Sequence, residues 1–520
     1  MTEQERVFGL WRIAEQQPDR PMMVDPDGDT RTAGELAAAS NQVVHGLRAR
    51  GLGHDDAVAV LLPNGFAYWE VLLAAEQAGW HLVPVNYHLS GPEIAYIVND
   101  SGAKAFIADA RFAELATKAA TEFDLGSQGR FAVGEIDGFV SFDDLKAGQP
   151  TTAPADRSTG GIMTYTSGTT GKPKGVKRPL PLDDPDTNAM KATFLNALFG
   201  LMDPDHVHLV VAPLYHTAVV RYSDAALHAG HRVVLMDRWT PEGTLERIER
   251  YRVTSSHMVP TMFNRLLKLP ADVREAADVS SLRCMIHSAA PCPIPTKQAM
   301  LDWWGDVIFE YYAATEGGGT MATPQQWRAR PGTVGTAWPI SEIRIIDDEG
   351  NDLGTNQVGT IWMKMGDHTF EYKDDAEKTK RSWNDQGFFT VGDVGELDDD
   401  GFLFLRDRKI DMIISGGVNI YPAEIESVIL QHPDVLDCGV FGVPHDDLGE
   451  QVKAAVQLVE GVAREGVEGR ILDLCREQLG AYKVPRSIDV LDELPRDPNG
   501  KLYKRKLRDP YWQGRDSALV

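Results

Sequence analysis

Cysteine is scarce in this chain: 520 residues contain only Cys284, Cys292, Cys438 and Cys475. No two form a Cys-x-x-Cys pair, so neither a disulfide framework nor a zinc site is expected, and each reads as a buried reduced thiol. Long apolar runs are missing too. The most apolar stretch, residues 66–85, is broken by Glu70, Glu76, Gln77 and His81. It reads as a core-facing helix running into a strand, not as a membrane span. Positive charge is in deficit, with 52 Lys and Arg against 76 Asp and Glu and a net charge of −24. That excludes broad nucleic-acid binding and requires any anionic ligand to meet a locally basic or amide-rich site. The N-terminal stretch Met1 to Pro21 lacks the apolar core of a signal peptide. The final Ser-Ala-Leu-Val is no peroxisomal or prenylation signal, and no basic amphipathic anchor stands out. A soluble cytoplasmic protein without a transmembrane segment is expected. A transient membrane contact and a homodimer are left open.

What is present suffices for more than one core. The length exceeds what a single core supports, and 43% apolar residues is ordinary for a globular chain. From about residue 25 to 320, short apolar runs alternate with amphipathic stretches. Strands are expected at 57–62, 105–108, 208–212, 232–236, 284–287 and 307–311, and helices at 71–77, 245–251, 263–267 and 296–303. This alternation predicts parallel α/β layers. From Val334 to Leu405 strands with turn signals, such as Asp347-Asp-Glu-Gly350, predict a β-rich subdomain. A smaller α+β segment follows Met412, and the tail after Pro510 carries no clear signal.

The run Tyr165-Thr-Ser-Gly-Thr-Thr-Gly-Lys-Pro-Lys-Gly175 carries the most chemical information. Thr166, Ser167, Thr169 and Thr170 offer hydroxyls. Gly168, Gly171 and Gly175 free the backbone to turn its N–H groups inward. Lys172 and Lys174 add positive charge. This combination suits a polyphosphate. It is not a Walker A loop, because Gly171-Lys172 is followed by Pro173 and not by Ser or Thr. The flank Gly161-Ile-Met-Thr-Tyr165 reads as a strand feeding the loop.

Four further segments stand out. Tyr311-Tyr-Ala-Ala-Thr-Glu-Gly-Gly-Gly319 follows an apolar strand, which places Thr315 and Glu316 at a strand's C-terminal end, where α/β proteins bind ligands. Glu316 is a plausible Mg²⁺ ligand. Thr390-Val-Gly-Asp-Val-Gly395 sets Asp393 between glycines, where a carboxylate could accept both ribose hydroxyls; a plain turn competes with that reading. The fourth runs from Asp407-Arg-Lys-Ile-Asp through Ser415-Gly-Gly-Val-Asn to Glu426, and the fifth is Pro495-Arg-Asp-Pro-Asn-Gly-Lys501. A lysine after Asn-Gly on a tight turn can be aimed into a cleft. Glu396, Asp398, Asp400, Gly401 and Asp407 match EF-hand spacing, but their flanks read as strands, so a hairpin turn is expected there.

In order, these five segments resemble the adenylate-forming superfamily of acyl-CoA synthetases, peptide-synthetase adenylation domains and luciferases. The resemblance runs from about Gly160 to Arg508, and Ala212-Pro-Leu-Tyr-His-Thr217 and Ser288-Ala-Ala-Pro291 fit it. It implies a large N-terminal domain of layered α/β subdomains plus a β-rich subdomain, residues 1–408. A hinge at 409–411 and a small mobile α+β domain at 412–520 would follow. It implies that the loop from Thr166 to Lys174 holds ATP phosphates, that Tyr312, flanked by Tyr311 and Ala313, stacks on adenine, and that the backbone of Ser288, Ala289, Ala290 and Pro291 lies beside the base. Thr315 would touch the α-phosphate, Glu316 and Thr166 would bind Mg²⁺, and Asp393 and Arg408 would hold the ribose. His216 would wall off the acyl pocket, and Lys501 would bridge carboxylate and α-phosphate. The strand with Gly416 and Gly417 would serve the second step, attack by coenzyme A, after the small domain turns.

The chain departs from its relatives at three places. Ile410 stands where they carry Lys or Asp at the pivot. Ala313, Ala289 and Ala290 replace commoner glycines. Lys177-Arg-Pro-Leu-Pro181 replaces a His-x-Asn type of sequence. No carrier domain precedes Val520, and no aspartate follows His216 closely to pair a substrate amine, so free coenzyme A is the expected acceptor. Val219, Val220, Met258, Val259, Ala289 and the run 313–319 supply apolar or small surface without counter-charge. The expected acid is therefore fatty or bulky and apolar, of steroid type. The alternatives are an aromatic-acid ligase, a stand-alone enzyme charging a carrier protein, and a non-catalytic nucleotide-binding regulator.

Overall fold

Short runs of buried Ala, Val and Leu, each followed by an amphipathic helix, build parallel sheets in the first half of the chain. The computed structural model describes residues 7–166, 173–314, 316–367, 369–373, 375–408, 411–445, 447–496 and 502–513. The chain divides into two compact units, neither continuous in sequence. The first is Met1–His257 with Ser281–Cys284 and Thr369–Arg381; the second is Met258–Ser280 with Met285–His368 and Ser382–Val520.

The first unit contains a six-stranded parallel sheet in the order Val140–Ser141, Arg130–Val133, Ala103–Asp109, Ala57–Leu61, His81–Pro84, Gly161–Ile162. Ala57–Leu61 is buried at every position, as a strand covered on both faces must be. The helix Phe66–Ala78 ends at Gly79 in the left-handed region (φ 72°) and gives way to His81–Pro84, the helix-into-strand expected of this apolar stretch. A second group pairs Thr30–Thr32, Pro21–Val24, Arg232–Leu235 and Val207–Val210, with Ser255–Met258 beyond. Among the described residues no helix is long and apolar enough to cross a membrane.

In the second unit, Ile308–Ala314 runs parallel to Cys284–His287 and then turns back on Gly317–Ala322. Antiparallel neighbours follow: Thr333–Ala337, Leu403–Arg408, Asp393–Leu397, Gly359–Met365 and Ser341–Ile346. This is the β-rich region expected from the turn signals. The acidic run with EF-hand spacing is the hairpin between Asp393–Leu397 and Leu403–Arg408. Its turn carboxylates Asp398 and Asp400 are engaged by Arg330. The later part of this unit packs the helices Pro422–Ile429 and Val467–Gln478 on a mixed sheet built around Val435–His445 and Gly449–Leu458. A last helix, Lys504–Trp512, runs through Pro510, where the sequence carries no helix signal. Tertiary contact holds it: Trp512 Nε1 donates to Gly442 O at 3.2 Å, and Leu507 joins a small core with Phe441 and Leu494. The cysteines are free. Cys284, Cys438 and Cys475 are buried as expected, and Cys292 is half-buried.

Candidate active site

Residues of the expected site fall on both units. In the first, Thr164–Thr166 and Lys174–Lys177 pair antiparallel with Thr166 opposite Lys174, so the two ends of the phosphate-type loop are fixed one strand spacing apart. Glu371–Tyr372 adds a third strand. The expected single strand into the loop is two: Gly161–Ile162 belongs to the parallel sheet and Thr164–Thr166 to this hairpin. Ser167, Gly168, Thr169, Thr170, Gly171 and Lys172 lie outside the described residues. The Tyr165 hydroxyl donates to Asp100 Oδ2 at 2.6 Å, and Tyr96 donates to Pro173 O at 3.2 Å, which anchors both flanks. Lys174 Nζ lies 3.5 Å from Asp375 Oδ2, so an anionic ligand has to compete with that carboxylate.

His216 occupies the position just before the helix Thr217–His228, without a side-chain capping bond to it. Two residues that sequence reasoning passed over hold the turn before it. Buried Asn64 donates to Ala212 O at 3.0 Å and to Met236 O at 2.8 Å, and accepts from Leu214 N at 2.9 Å. Tyr68 donates to Leu214 O at 2.8 Å. An asparagine just past a strand carries no signal by itself; only the fold reveals the clasp. Beside His216 lies an aromatic cluster. The ring centroids of Tyr215 and His216 are 4.2 Å apart, Tyr87 meets Tyr215 edge-on at 5.0 Å, and Tyr87 stacks on Phe112 at 4.7 Å.

The second unit joins two expected residues by a side-chain bond and sets a third beside them in backbone register. The Tyr312 hydroxyl donates to Asp393 Oδ2 at 2.8 Å. Asp393 sits opposite Arg408 in the antiparallel register. Glu316 is buried in the turn between Ile308–Ala314 and Gly317–Ala322, while Thr315 lies outside the described residues. The hairpin can close so tightly because Gly319 lacks a side chain: a Cβ there would come within 2.7 Å of Tyr312 O and 2.8 Å of the Trp338 ring. Ser288 follows the neighbouring strand Cys284–His287, and Ala289 adopts φ 71°. That left-handed conformation costs a residue with a Cβ about 1–2 kcal/mol. It accounts for the glycine more usual here and marks the loop as held by its surroundings.

Gly416 and Gly417, with φ of 58° and 78°, form the two-residue turn between Ile413–Ser415 and Val418–Ile420, with Ser415 paired to Val418. Positive φ at both positions defines a type I′ hairpin, which by itself calls for glycine. A Cβ at Gly417 would meet open space, so the site is also uncrowded. Lys409, Ile410 and Lys501 lie outside the described residues.

Among the described residues one further group has metal-like spacing: Glu76, Asp224 and His228, all buried. His228 Nε2 lies 3.2 Å from Glu76 Oε2 and 3.3 Å from Asp224 Oδ1, but Nδ1 accepts the Leu10 N–H at 3.1 Å. A ring that accepts at Nδ1 carries its proton on Nε2, which leaves that atom no lone pair for a metal. Burial and the neighbouring Asp224 push the Glu76 carboxyl up to about 7.

Comparison with known proteins identifies the family. Residues 10–371 match the family model of the AMP-binding enzymes, and residues 424–501 match that of the AMP-binding enzyme C-terminal domain. A feruloyl-CoA synthase from an Amycolatopsis species is 34% identical over 484 residues, covering 92% of this chain and 94% of that protein. The long-chain-fatty-acid–CoA ligase FadD13 of Mycobacterium tuberculosis is 30% identical, covering 96% of this chain and 98% of its own length. The crystal structure of ATP-bound MatB from Rhodopseudomonas palustris superimposes with a TM-score of 0.81 at 30% identity, over 97% of this chain and 98% of that one. The chain therefore belongs to the AMP-binding enzyme family.

Proposed function

We propose that this chain activates an apolar carboxylic acid, fatty or bulky, as its acyl-adenylate and passes the acyl group to coenzyme A. The reaction class, AMP-forming acid–thiol ligation with ATP, Mg²⁺ and coenzyme A, is that of its family. The observation that carries the reading is the bond from Tyr312 to Asp393 with Arg408 opposite. It joins an aromatic ring to a carboxylate, a pair suited to the base and the ribose of a nucleoside. In this reading Tyr312 and the loop Ser288–Pro291 flank adenine, Asp393 and Arg408 take the ribose, and the loop from Thr166 to Lys174 takes the phosphates. Glu316 offers a buried carboxylate suited to Mg²⁺, which when bound supplies charge neutralisation at the phosphates. The acid and ATP react with each other once aligned, so the protein contributes position and field and no covalent nucleophile. Lys501 serves the first step and the Gly416–Gly417 hairpin the second, exchanged by rotation of residues 412–520 about 409–411.

The support for an apolar acid is the set of small and aliphatic residues, Val219 and Val220 after His216 among them, that the sequence supplies without a counter-charge. An aromatic acid is a second reading, favoured by the cluster of Tyr87, Phe112 and Tyr215 beside His216 and by the likeness to a feruloyl-CoA synthase. A panel of fatty, steroid-type and cinnamic acids, assayed for acid-dependent exchange of labelled pyrophosphate into ATP, tests both. Exchange with cinnamic acids alone removes the first reading. Exchange with none removes the ligase itself.

A further inference from the structure

A buried ion pair stands beside the strand that ends just before Ser288 and the strand that carries Tyr312. Lys297 lies on the helix Ile294–Trp304 with its side chain fully buried, and its Nζ donates to Glu310 Oε2 at 2.6 Å. Glu310 is on Ile308–Ala314, two residues before Tyr312. It sits in register with His287 on the parallel neighbour, the residue before Ser288. His287 Nε2 is 3.4 Å from the same carboxylate oxygen. The Lys297 ammonium also lies 4.9 Å from the centroid of the buried Trp327 ring. The loop from Ser288 to Pro293 thus leaves a strand at His287 and enters a helix that returns Lys297. Both of its ends converge on one carboxylate, which the strand bearing Tyr312 supplies.

Stability does not call for this arrangement. Each ion loses several kcal/mol of hydration on burial, and an apolar pair of similar volume commonly serves a fold as well or better. What charges supply and an apolar pair does not is direction: a 2.6 Å charge-assisted bond fixes where the helix sits on the strand. Burial shifts both groups toward neutrality, Lys297 downward and Glu310 upward, and each opposes that shift in the other. Neither group is exposed to react with substrate.

We propose that Lys297 and Glu310 are positioning residues for the nucleotide, setting the separation between the Ser288–Pro291 loop and Tyr312 and so the width of the adenine slot. This rests on the reading that adenine lies between those elements. The test compares Lys297→Met, Glu310→Gln and the double variant Lys297→Met/Glu310→Leu with the parent chain. KM for ATP, KM for the acid, the ratio of kcat/KM for ATP over GTP, and the thermal midpoint are measured for each. In the double variant the midpoint should stay near that of the parent while KM for ATP rises roughly 10- to 100-fold. KM for the acid should stay unchanged, and the ATP/GTP ratio should fall. A double variant with the parent's KM for ATP and base ratio overturns the proposal and leaves the pair a structural filler. The base ratio is internal to one preparation and independent of its folded fraction, so partly folded single variants still decide: a parental ratio in them also overturns it. A parent chain that shows no exchange with any acid defeats the ligase reading instead, a distinct outcome.

Discussion

The Tyr312 hydroxyl donates to Asp393 Oδ2 at 2.8 Å, which joins the ring expected to stack on adenine to the carboxylate expected to hold ribose. One bond thus aligns two parts of a nucleoside site. Tyr312→Phe keeps the ring and deletes the bond. A hydrogen bond to a charged group contributes about 1.5–3 kcal/mol, so ATP affinity should weaken by about tenfold or somewhat more, with the acid's KM unaffected. Equal ATP binding by Tyr312→Phe and the parent chain, measured at equilibrium, would show that Asp393 orients itself without the tyrosine.

The two half-reactions should separate by mutation if the C-terminal residues rotate. Lys501→Ala should slow adenylation by roughly 10²–10³, the scale for one transition-state electrostatic group, and spare thioester formation from supplied acyl-adenylate. Gly417→Asn keeps the left-handed turn, since asparagine tolerates positive φ, and adds a side chain where there is open space. It should slow coenzyme A transfer and spare adenylation. Rotation would also break the bond from Asn264 Nδ2 to Leu436 O, 2.6 Å in this structure. Equal damage to both half-reactions by either variant argues against alternation.

The parallel strands, the β-rich region and the hairpin at Asp398–Gly401 were legible because each rests on local signals: apolar period, turn residues, glycine with Asp or Asn. The family was legible because the order of its motifs along the chain is distinctive. Asn64, Tyr68, Lys297 and Glu310 were not. Asn64 clasps a turn almost 150 residues away, at Ala212 and Leu214, and nothing local marks a residue whose partner is that remote. Lys297 and Glu310 look like ordinary surface charges until packing buries them. Pro510 misled in the opposite direction, since tertiary contacts carry the helix Lys504–Trp512 through it. Ala289 hides a glycine-like conformation behind an ordinary residue.

Glu316 should reveal a metal role through Mg²⁺ dependence. Glu316→Gln keeps the size of the side chain in its buried turn and removes the charge that attracts a hard cation. The Mg²⁺ concentration for half-maximal pyrophosphate exchange should rise severalfold, while ATP binding without metal changes little. An unaltered Mg²⁺ titration curve would assign the ion to other ligands.

Acid should destabilise the first unit through its buried histidines. Burial lowers His208 and His231 to about 3 and His257 to about 4. The three lie on or beside adjacent parallel strands: His208 accepts or donates across to Ser255 Oγ at 3.0 Å, and His257 stacks on Tyr222 at 5.4 Å. In the unfolded chain each returns to about 6.5, so below that pH the unfolded state binds the extra protons. Their stabilising contribution is complete above pH 6.5 and declines as pH falls through it toward 3–4, by up to about 1.4 kcal/mol per pH unit for each histidine. Glu76 acts with the opposite sign: its contribution is present below its ordinary value and lost as pH rises through about 7. Unfolding free energy should therefore fall steeply from pH 6 to 5, and His257→Phe, which keeps a ring against Tyr222, should reduce that slope by about 1.4 kcal/mol per pH unit. The slope, and not the absolute stability, isolates titration from repacking. A His257→Phe profile parallel to the parent's across this range would mean that His257 does not take up a proton on unfolding.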